Sequence, residues 1–367
     1  MRILNSGIQN GIPNTMRAAV YRGAGTVVVE DVPTPGIGPG ELLVRVESCG
    51  VCHTDLKKVE YNLLPPPRIF GHETAGVVVQ AGAGVRRYAP GDRVVVFHHI
   101  PCGTCFYCQH KLYAQCPVYK RVGVSAGFEP AGGGFSQYVR VMDWIVERGV
   151  EKIPDNVPFE EASFVEPVNT CLKAVAQCAP KPDDTVLIMG QGPIGLIFTM
   201  LVARVGANVF ATDTIESRLK LSRQCGAQAA WDPGKTDVAA EIRNLTGNRG
   251  ADIVILATSV KGLVEDAVRS SRPGARIMLF AQTSDTERIE LSGASICVGE
   301  RTLFGSYSAS VDLQTESANL VFRRDIPVNL LISHRVPLAK INSAFDLAMH
   351  PGEGSLKIIV EPQRWPE

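Results

Sequence analysis

No charge of either sign dominates this sequence, in which thirty-seven lysines and arginines stand against thirty-seven aspartates and glutamates. Nothing in the bulk charge attracts a polyanion, so DNA, RNA and acidic membrane surfaces are poor partners. No run approaches the roughly eighteen continuous apolar residues that a bilayer span requires. Residues 1–15 are polar and glycine-rich and lack the apolar core of an export signal, so the expectation is a cytoplasmic protein. There is no internal repeat and no low-complexity linker, only a glycine turn at Gly132 to Gly134. What remains is ample material for folding: 367 residues, 45% of them apolar, can bury two ordinary cores in two or three domains. Met16 opens the first strand-like segment, Met16 to Tyr21, and residues 1–15 read as a loose extension without a function.

Ten cysteines fit either disulfides or metal, and in a reducing compartment metal and free thiols are favoured. Four of them, Cys102, Cys105, Cys108 and Cys116, are separated by gaps of two, two and seven residues. Two-residue gaps let successive thiolates turn back onto one ion, and four thiolates make a closed tetrahedral zinc site with no open position. The expected role is to brace a loop, spanning about 98–117, without chemistry of its own.

Up to about residue 160 the chain reads as short strands between glycine and proline turns: Glu41 to Val46, Gly76 to Val79 and Asp92 to Phe97. That texture predicts a β-rich, barrel-like domain. Near Pro182 it changes to apolar strand runs alternating with helical stretches, at Thr185 to Met189, Asn208 to Thr212, Asp252 to Ala257 and Arg276 to Phe280. Such runs predict a parallel sheet covered on both faces. After Ser308 the tail mixes helix and strand, closing with Leu356 to Glu361.

The parallel half opens with Gly190-Gln191-Gly192-Pro193-Ile194-Gly195, after a strand and before a helical run to Val205. Gly190 permits a tight turn, Gly192 lets backbone approach a pyrophosphate, Gly195 lets helix pack on strand, and the helix N-terminus favours the negative charge. Asp213 ends the second strand, twenty-three residues past Gly190. There a carboxylate accepts hydrogen bonds from an adenosine ribose and repels a 2′-phosphate, which predicts NAD in preference to NADP. Arg218 either reaches an adenosine phosphate or lies on a solvated helix face that stacks on or near the adenosine.

A second metal constellation joins Cys52-His53-Thr54-Asp55 to His72-Glu73, since a cysteine, a histidine and a carboxylate can hold zinc with an exchangeable position. Gly71-His72-Glu73 followed by Gly76 and Gly82, the segment Pro90-Gly91-Asp92-Arg93-Val94, the four-cysteine loop and the nucleotide turn together resemble the zinc-containing medium-chain dehydrogenase/reductase family. The resemblance covers nearly the whole chain from Met16 onward and points to its polyol and threonine dehydrogenase subgroup. It implies an α/β protein with a GroES-like β-barrel catalytic domain, residues 16–167 and 309–367, and an inserted Rossmann NAD-binding domain of doubly wound parallel sheet, residues 168–308. The cleft between them is where the resemblance puts the active site.

The resemblance further implies catalytic zinc on Cys52 and His72. At the third position stands Phe164-Val165-Glu166-Pro167, which looks like the Glu-Pro segment of polyol, glucose and threonine dehydrogenases. Glu166 is therefore expected to ligate zinc directly or through its water, with Glu73 entering or leaving the shell. Thr54 matches the family's proton-receiving hydroxyl, and Asp55 looks like the carboxylate that orients a zinc histidine. His53 faces either the cofactor pyrophosphate or solvent. Lys57 replaces a proton-relaying histidine; ordered water carries the proton instead, or the lysine is simply exposed. His98 and His99 read as a polar exit from a strand, and Cys49, Cys171, Cys178, Cys225 and Cys297 as interior thiols. Tyr61, Phe128, Glu129 and Ser306 are pocket candidates. The expected activity is hydride transfer from a secondary alcohol of a polyol, sugar or amino alcohol to NAD in a homodimer or homotetramer, with L-threonine as the alternative substrate. A zinc-bearing NAD sensor and a non-redox lyase are the readings from other classes.

Overall fold

Alternation along Leu42–Gly50, where most side chains are buried and Arg45 and Glu47 look outward, makes that segment a strand with one face on a core. The computed structural model describes residues 8–9, 11–97, 100–119, 132–281 and 288–365. It divides into two compact units, 1–167 with 309–367 and 168–308.

The first unit begins with an antiparallel pair, β1 (Thr15–Gly23) and β2 (Thr26–Pro33), extended by the short strand Arg68–Ile69. Residues 1–15 were expected to be a loose extension, but Ile8–Gln9 and Ile12–Pro13 pair as short antiparallel strands. Next come β3 (Leu42–Gly50), helix α1 (His53–Glu60), β4 (Glu73–Ala81), β5 (Arg93–Val96), β6 (Tyr138–Val141) and β7 (Val150–Lys152); helix α2 (Val165–Cys178) starts at the end of this unit and runs on into the second.

The second unit follows the alternation seen in the sequence. Its elements are β8 (Thr185–Met189), α3 (Pro193–Arg204), β9 (Asn208–Thr212), α4 (Glu216–Gln224), β10 (Ala229–Trp231), α5 (Val238–Leu245), β11 (Ala251–Leu256), α6 (Leu263–Ser270), β12 (Ser271–Leu279) and β13 (Thr302–Gly305). The strands pair in parallel in the order β10-β9-β8-β11-β12-β13. Strand order therefore reverses at β8, the position where open α/β sheets bind ligands. All five residues of β8 and all six of β11 are buried, as central strands covered on both faces must be.

The chain then returns to the first unit with β14 (Ile332–Pro337) and β15 (Lys357–Glu361). Its larger sheet runs β7-β5-β4-β3-β15-β14, with β6 also on β3, so β3 is flanked by strands from both ends of the chain. Its core collects Leu42, Val44, Val46, Phe70, Val78, Val94, Phe97, Val139 and Val360. Each such side chain stabilises the fold by about 1.5–3 kcal/mol. Among the described residues no helix is long and apolar enough to cross a membrane.

Candidate active site and metal centre

Strand pairing in the first unit gathers charged groups at one end of its sheet. β3 ends at Gly50, which pairs with Glu73 at the start of β4 and with Ile359 of β15. The backbone N–H of Val51 donates to Ile358 O at 2.9 Å, and Cys52 then caps α1 in extended conformation. Cys52, His72 and Glu73 consequently offer a sulfur, a ring nitrogen and a carboxylate oxygen within 4.8 Å of one another. His72 Nδ1 lies 3.1 Å from Asp55 Oδ1, and Asp55, in the first turn of α1, is fully buried. A buried carboxylate at Nδ1 selects the tautomer that leaves Nε2 as the metal-binding nitrogen.

Lys357 was missed at the sequence level. It is 5% exposed on β15, and its Nζ donates to Glu73 Oε1 at 2.5 Å. A Cβ on Gly50 would come within 1.9 Å of Glu73 Oε2 and 2.8 Å of Lys357 Cε, so only glycine leaves room for this ion pair. The signal available beforehand was a single lysine inside the otherwise apolar run Leu356 to Val360. Glu166, in the first turn of α2, is 8% exposed; it is not in the 4.8 Å group, yet it feels the charges of His72 and Glu73.

The electrostatics show what this pocket needs. Burial raises Glu166 from 4.5 to about 7, opposed by His72 and reinforced by Glu73. Burial pulls His72 down, but Asp55 and Cys52 outweigh it and hold its pKa well above the ordinary value. Lys357 is likewise pulled down by burial and raised overall by Glu73 and Cys52. Three carboxyl groups, Asp55, Glu73 and Glu166, thus share one region with Lys357, Lys58 and His72, and the donors of Cys52, His72 and Glu73 within it suit a metal ion.

Thr54 is the second residue of α1 and half-buried; His53, the first, is exposed. Lys57, expected to be exposed, is half-buried because it sits in the same short helix between Leu56 and Val59. Tyr61 caps that helix and is 59% exposed. Ser306 is buried in the second unit, and Cys297, expected inside, is exposed on the helix Gly293–Cys297, which buries no residue. Cys49, Cys171, Cys178 and Cys225 are buried. His98, His99, Phe128 and Glu129 lie outside the described residues.

The four remaining cysteines form a separate cluster. Cys102, Cys105, Cys108 and Cys116 also have their sulfurs within 4.8 Å of one another, with Cys105 and Cys108 at 3.5 Å and Cys102 and Cys108 at 3.8 Å. The N–H of Cys105 donates to Cys102 Sγ and the N–H of Cys102 to Cys116 Sγ, each at 3.4 Å. Cys102 is drawn down to about 6, first by the backbone N–H of Thr104, while burial and neighbouring thiols push Cys108 up to about 12. Thiols this close compete for protons, and a divalent cation lets all four ionise together.

In the second unit Gly190 leaves β8 at φ +93°, and a Cβ on Gly195 would lie 1.8 Å from Gly190 O. Helix and strand therefore meet at a distance no other residue permits. Gly192 caps α3 with Pro193 in its first turn, and a Cβ there would meet nothing within 4 Å. Pro193 and Ile194 are half-buried beside it. Asp213 follows β9; its Oδ2 accepts from the N–H of Gln191 at 2.7 Å and its Oδ1 from that of Ile215 at 2.9 Å. The side chain of Arg218 is only 15% exposed and stands 3.9 Å from Asp213 Oδ2, so it is not on a solvated helix face.

Two family models match the chain, an alcohol dehydrogenase GroES-like domain over residues 38–155 and a zinc-binding dehydrogenase over 193–322. An L-threonine 3-dehydrogenase of Symbiobacterium thermophilum is 30% identical, covering 95% of this chain and 98% of its own. A sorbitol dehydrogenase of Bacillus subtilis is 27% identical over 96% of this chain and 99% of its own. The crystal structure of a zinc-binding dehydrogenase of Sinorhizobium meliloti bound to NADP matches with a TM-score of 0.86 and 30% identity, covering 95% and 99%. With a GroES-like unit, a Rossmann-like unit and relatives of this kind, the chain belongs to the zinc-containing alcohol dehydrogenase family of oxidoreductases, in its polyol and threonine dehydrogenase subgroup.

Proposed function

We propose that the chain oxidises a secondary alcohol on a small polar substrate, a polyol, sugar or amino alcohol, with catalytic zinc and NAD. The observation that carries this reading is the convergence of half-buried Cys52 with buried His72 and Glu73, whose donor atoms lie within 4.8 Å of one another. The sulfur, nitrogen and oxygen donors suit zinc, and three protein ligands leave a position for a substrate oxygen. The open space at Gly192, the N-terminus of α3 and the carboxylate of Asp213 suit a dinucleotide with an unmodified ribose. When bound, zinc supplies a Lewis acid that acidifies the substrate hydroxyl, and the nicotinamide supplies a hydride acceptor.

The chain's own residues divide the remaining work. Asp55 fixes the tautomer of His72, and Lys357 holds Glu73 at the edge of the metal site. Glu166, raised by burial to about 7 in the metal-free chain, would exchange a proton or join the ligands that hold zinc. Thr54 is assigned to the substrate proton. Cys102, Cys105, Cys108 and Cys116 hold a second, closed zinc that braces their loop. Gly190, Gly192, Pro193, Ile194 and Gly195 cradle the pyrophosphate, with Arg218 as a positive group of the same unit; His53 is assigned to the cofactor on the family resemblance. Edge strand β13 fits pairing with a second copy in a homodimer or homotetramer. A panel of polyols, aldoses, L-threonine and simple alcohols, incubated with NAD and followed by absorbance of the reduced nicotinamide, tests the reading. Turnover of polyols or threonine above simple alcohols is expected, and reduction of NAD by none of them rejects it.

A further inference from the structure

We propose that Gln191 is a positioning residue that sets the preference between the two nicotinamide dinucleotides by clamping the carboxylate of Asp213. The inference rests on the reading of the glycine-rich turn as the dinucleotide site and of Asp213 as its selecting acid. Backbone N–H groups and the helix terminus suffice for phosphate binding in such a turn, so the side chain between the first two glycines has no duty toward the phosphates. Here it is nonetheless fully buried, and its polar atoms are committed.

Gln191 Nε2 donates to Ile188 O at 3.3 Å and to Gly190 O at 3.2 Å, and its Oε1 accepts from Thr199 Oγ1 at 2.9 Å. Thr199 is itself fully buried inside α3, with its hydroxyl 3.0 Å from Gly195 O. A buried carboxamide is costly unless its partners are supplied. The three bonds therefore tie β8 to α3 through one side chain and fix the orientation of the peptide between Gly190 and Gln191. The N–H of that peptide is the one donated to Asp213 Oδ2 at 2.7 Å, while Ile215 holds Oδ1 at 2.9 Å.

A carboxylate gripped at both oxygens cannot rotate about its Cβ–Cγ bond, so its remaining lone pairs keep one direction. The competitor is on hand in the Arg218 guanidinium, 3.9 Å from Oδ2. With the clamp loosened, the carboxylate swings toward Arg218 into a tighter ion pair. It then accepts less well from a ribose diol and repels a 2′-phosphate less well, and both changes erode the preference for the unphosphorylated ribose.

The test titrates NADH and NADPH by nicotinamide fluorescence into full-length Gln191→Ala, Thr199→Val and Thr199→Ser, recording the thermal midpoint of each ligand-free protein alongside. From the bonds removed, the ratio of NADPH to NADH dissociation constants is expected to fall roughly tenfold in Gln191→Ala and roughly threefold in Thr199→Val. Thr199→Ser, which keeps the hydroxyl, restores the wild-type ratio. If Gln191→Ala does not fold, the near-isosteric Thr199→Val decides alone. A lowered thermal midpoint with an unchanged ratio overturns the proposal and makes Gln191 a packing residue only. Wild-type protein without preference for NADH overturns instead the reading of Asp213 beneath it.

Discussion

The two clusters suited to a metal are built in opposite ways. Cys102, Cys105, Cys108 and Cys116 come from one short loop, and backbone N–H groups of the same loop reach their sulfurs. Cys52, His72 and Glu73 come from the ends of separate strands, and the buried cation beside them, Lys357, is 284 residues from Glu73. A local cluster can be assembled by its own loop, whereas the other exists only once β3, β4 and β15 are paired. The first therefore suits bracing, and the second suits chemistry whose geometry the whole unit enforces.

That contrast is broken most directly at His72. His72→Ala is expected to lower kcat at least roughly a thousandfold, because the site loses its metal and the several kcal/mol of charge stabilisation it provides. Metal analysis of the same protein should find the four-cysteine zinc retained, and near-normal turnover would refute the division of labour. Lys357→Met comes next. It leaves Glu73 as a buried charge without its partner and should cost about 3–5 kcal/mol in denaturant unfolding of the metal-stripped protein. Adding Glu73→Gln should recover most of that loss; no recovery would mean the ion pair is not what Lys357 serves.

Cys105→Ser examines the other cluster. The thermal midpoint should drop on the order of 10 °C with loss of one zinc, while kcat of the folded fraction stays within about twofold; an equal loss of kcat would couple the two sites. The smallest expected effect sharpens the comparison through pH. Burial raises Glu166 from 4.5 to about 7, so between those values the folded chain keeps a proton that the unfolded chain releases. Its contribution to stability is thus fully present below pH 4.5 and lost as pH rises through about 7, an amount of about 3 kcal/mol. In metal-stripped protein the difference in unfolding free energy between wild type and Glu166→Gln should fall across that window, and a flat difference would place Glu166 in a wet site.

What the sequence determined by itself is whatever nearest neighbours along the chain decide. β8 and β9 were legible to the residue, because a fully covered parallel strand must be continuously apolar. The four-cysteine loop and the glycine-rich turn were legible too, since their spacing alone brings the groups to one place. Tertiary structure alone decided the rest. Lys357 reads locally as an interruption in a strand, and only pairing of β15 with β3 sets it against Glu73. Gln191 reads as a spacer between glycines, and only packing of α3 on β8 turns its side chain inward to Thr199. Cys297, without a partner in sequence, reads as an interior thiol, yet its short helix buries nothing. Lys57 sits half-buried because the packing of α1 draws its neighbours into the core. The physical reason is the same throughout: charge compensation and hydrogen bonding act over a few ångströms of space, and distance along a chain says little about distance in space until the strands have paired.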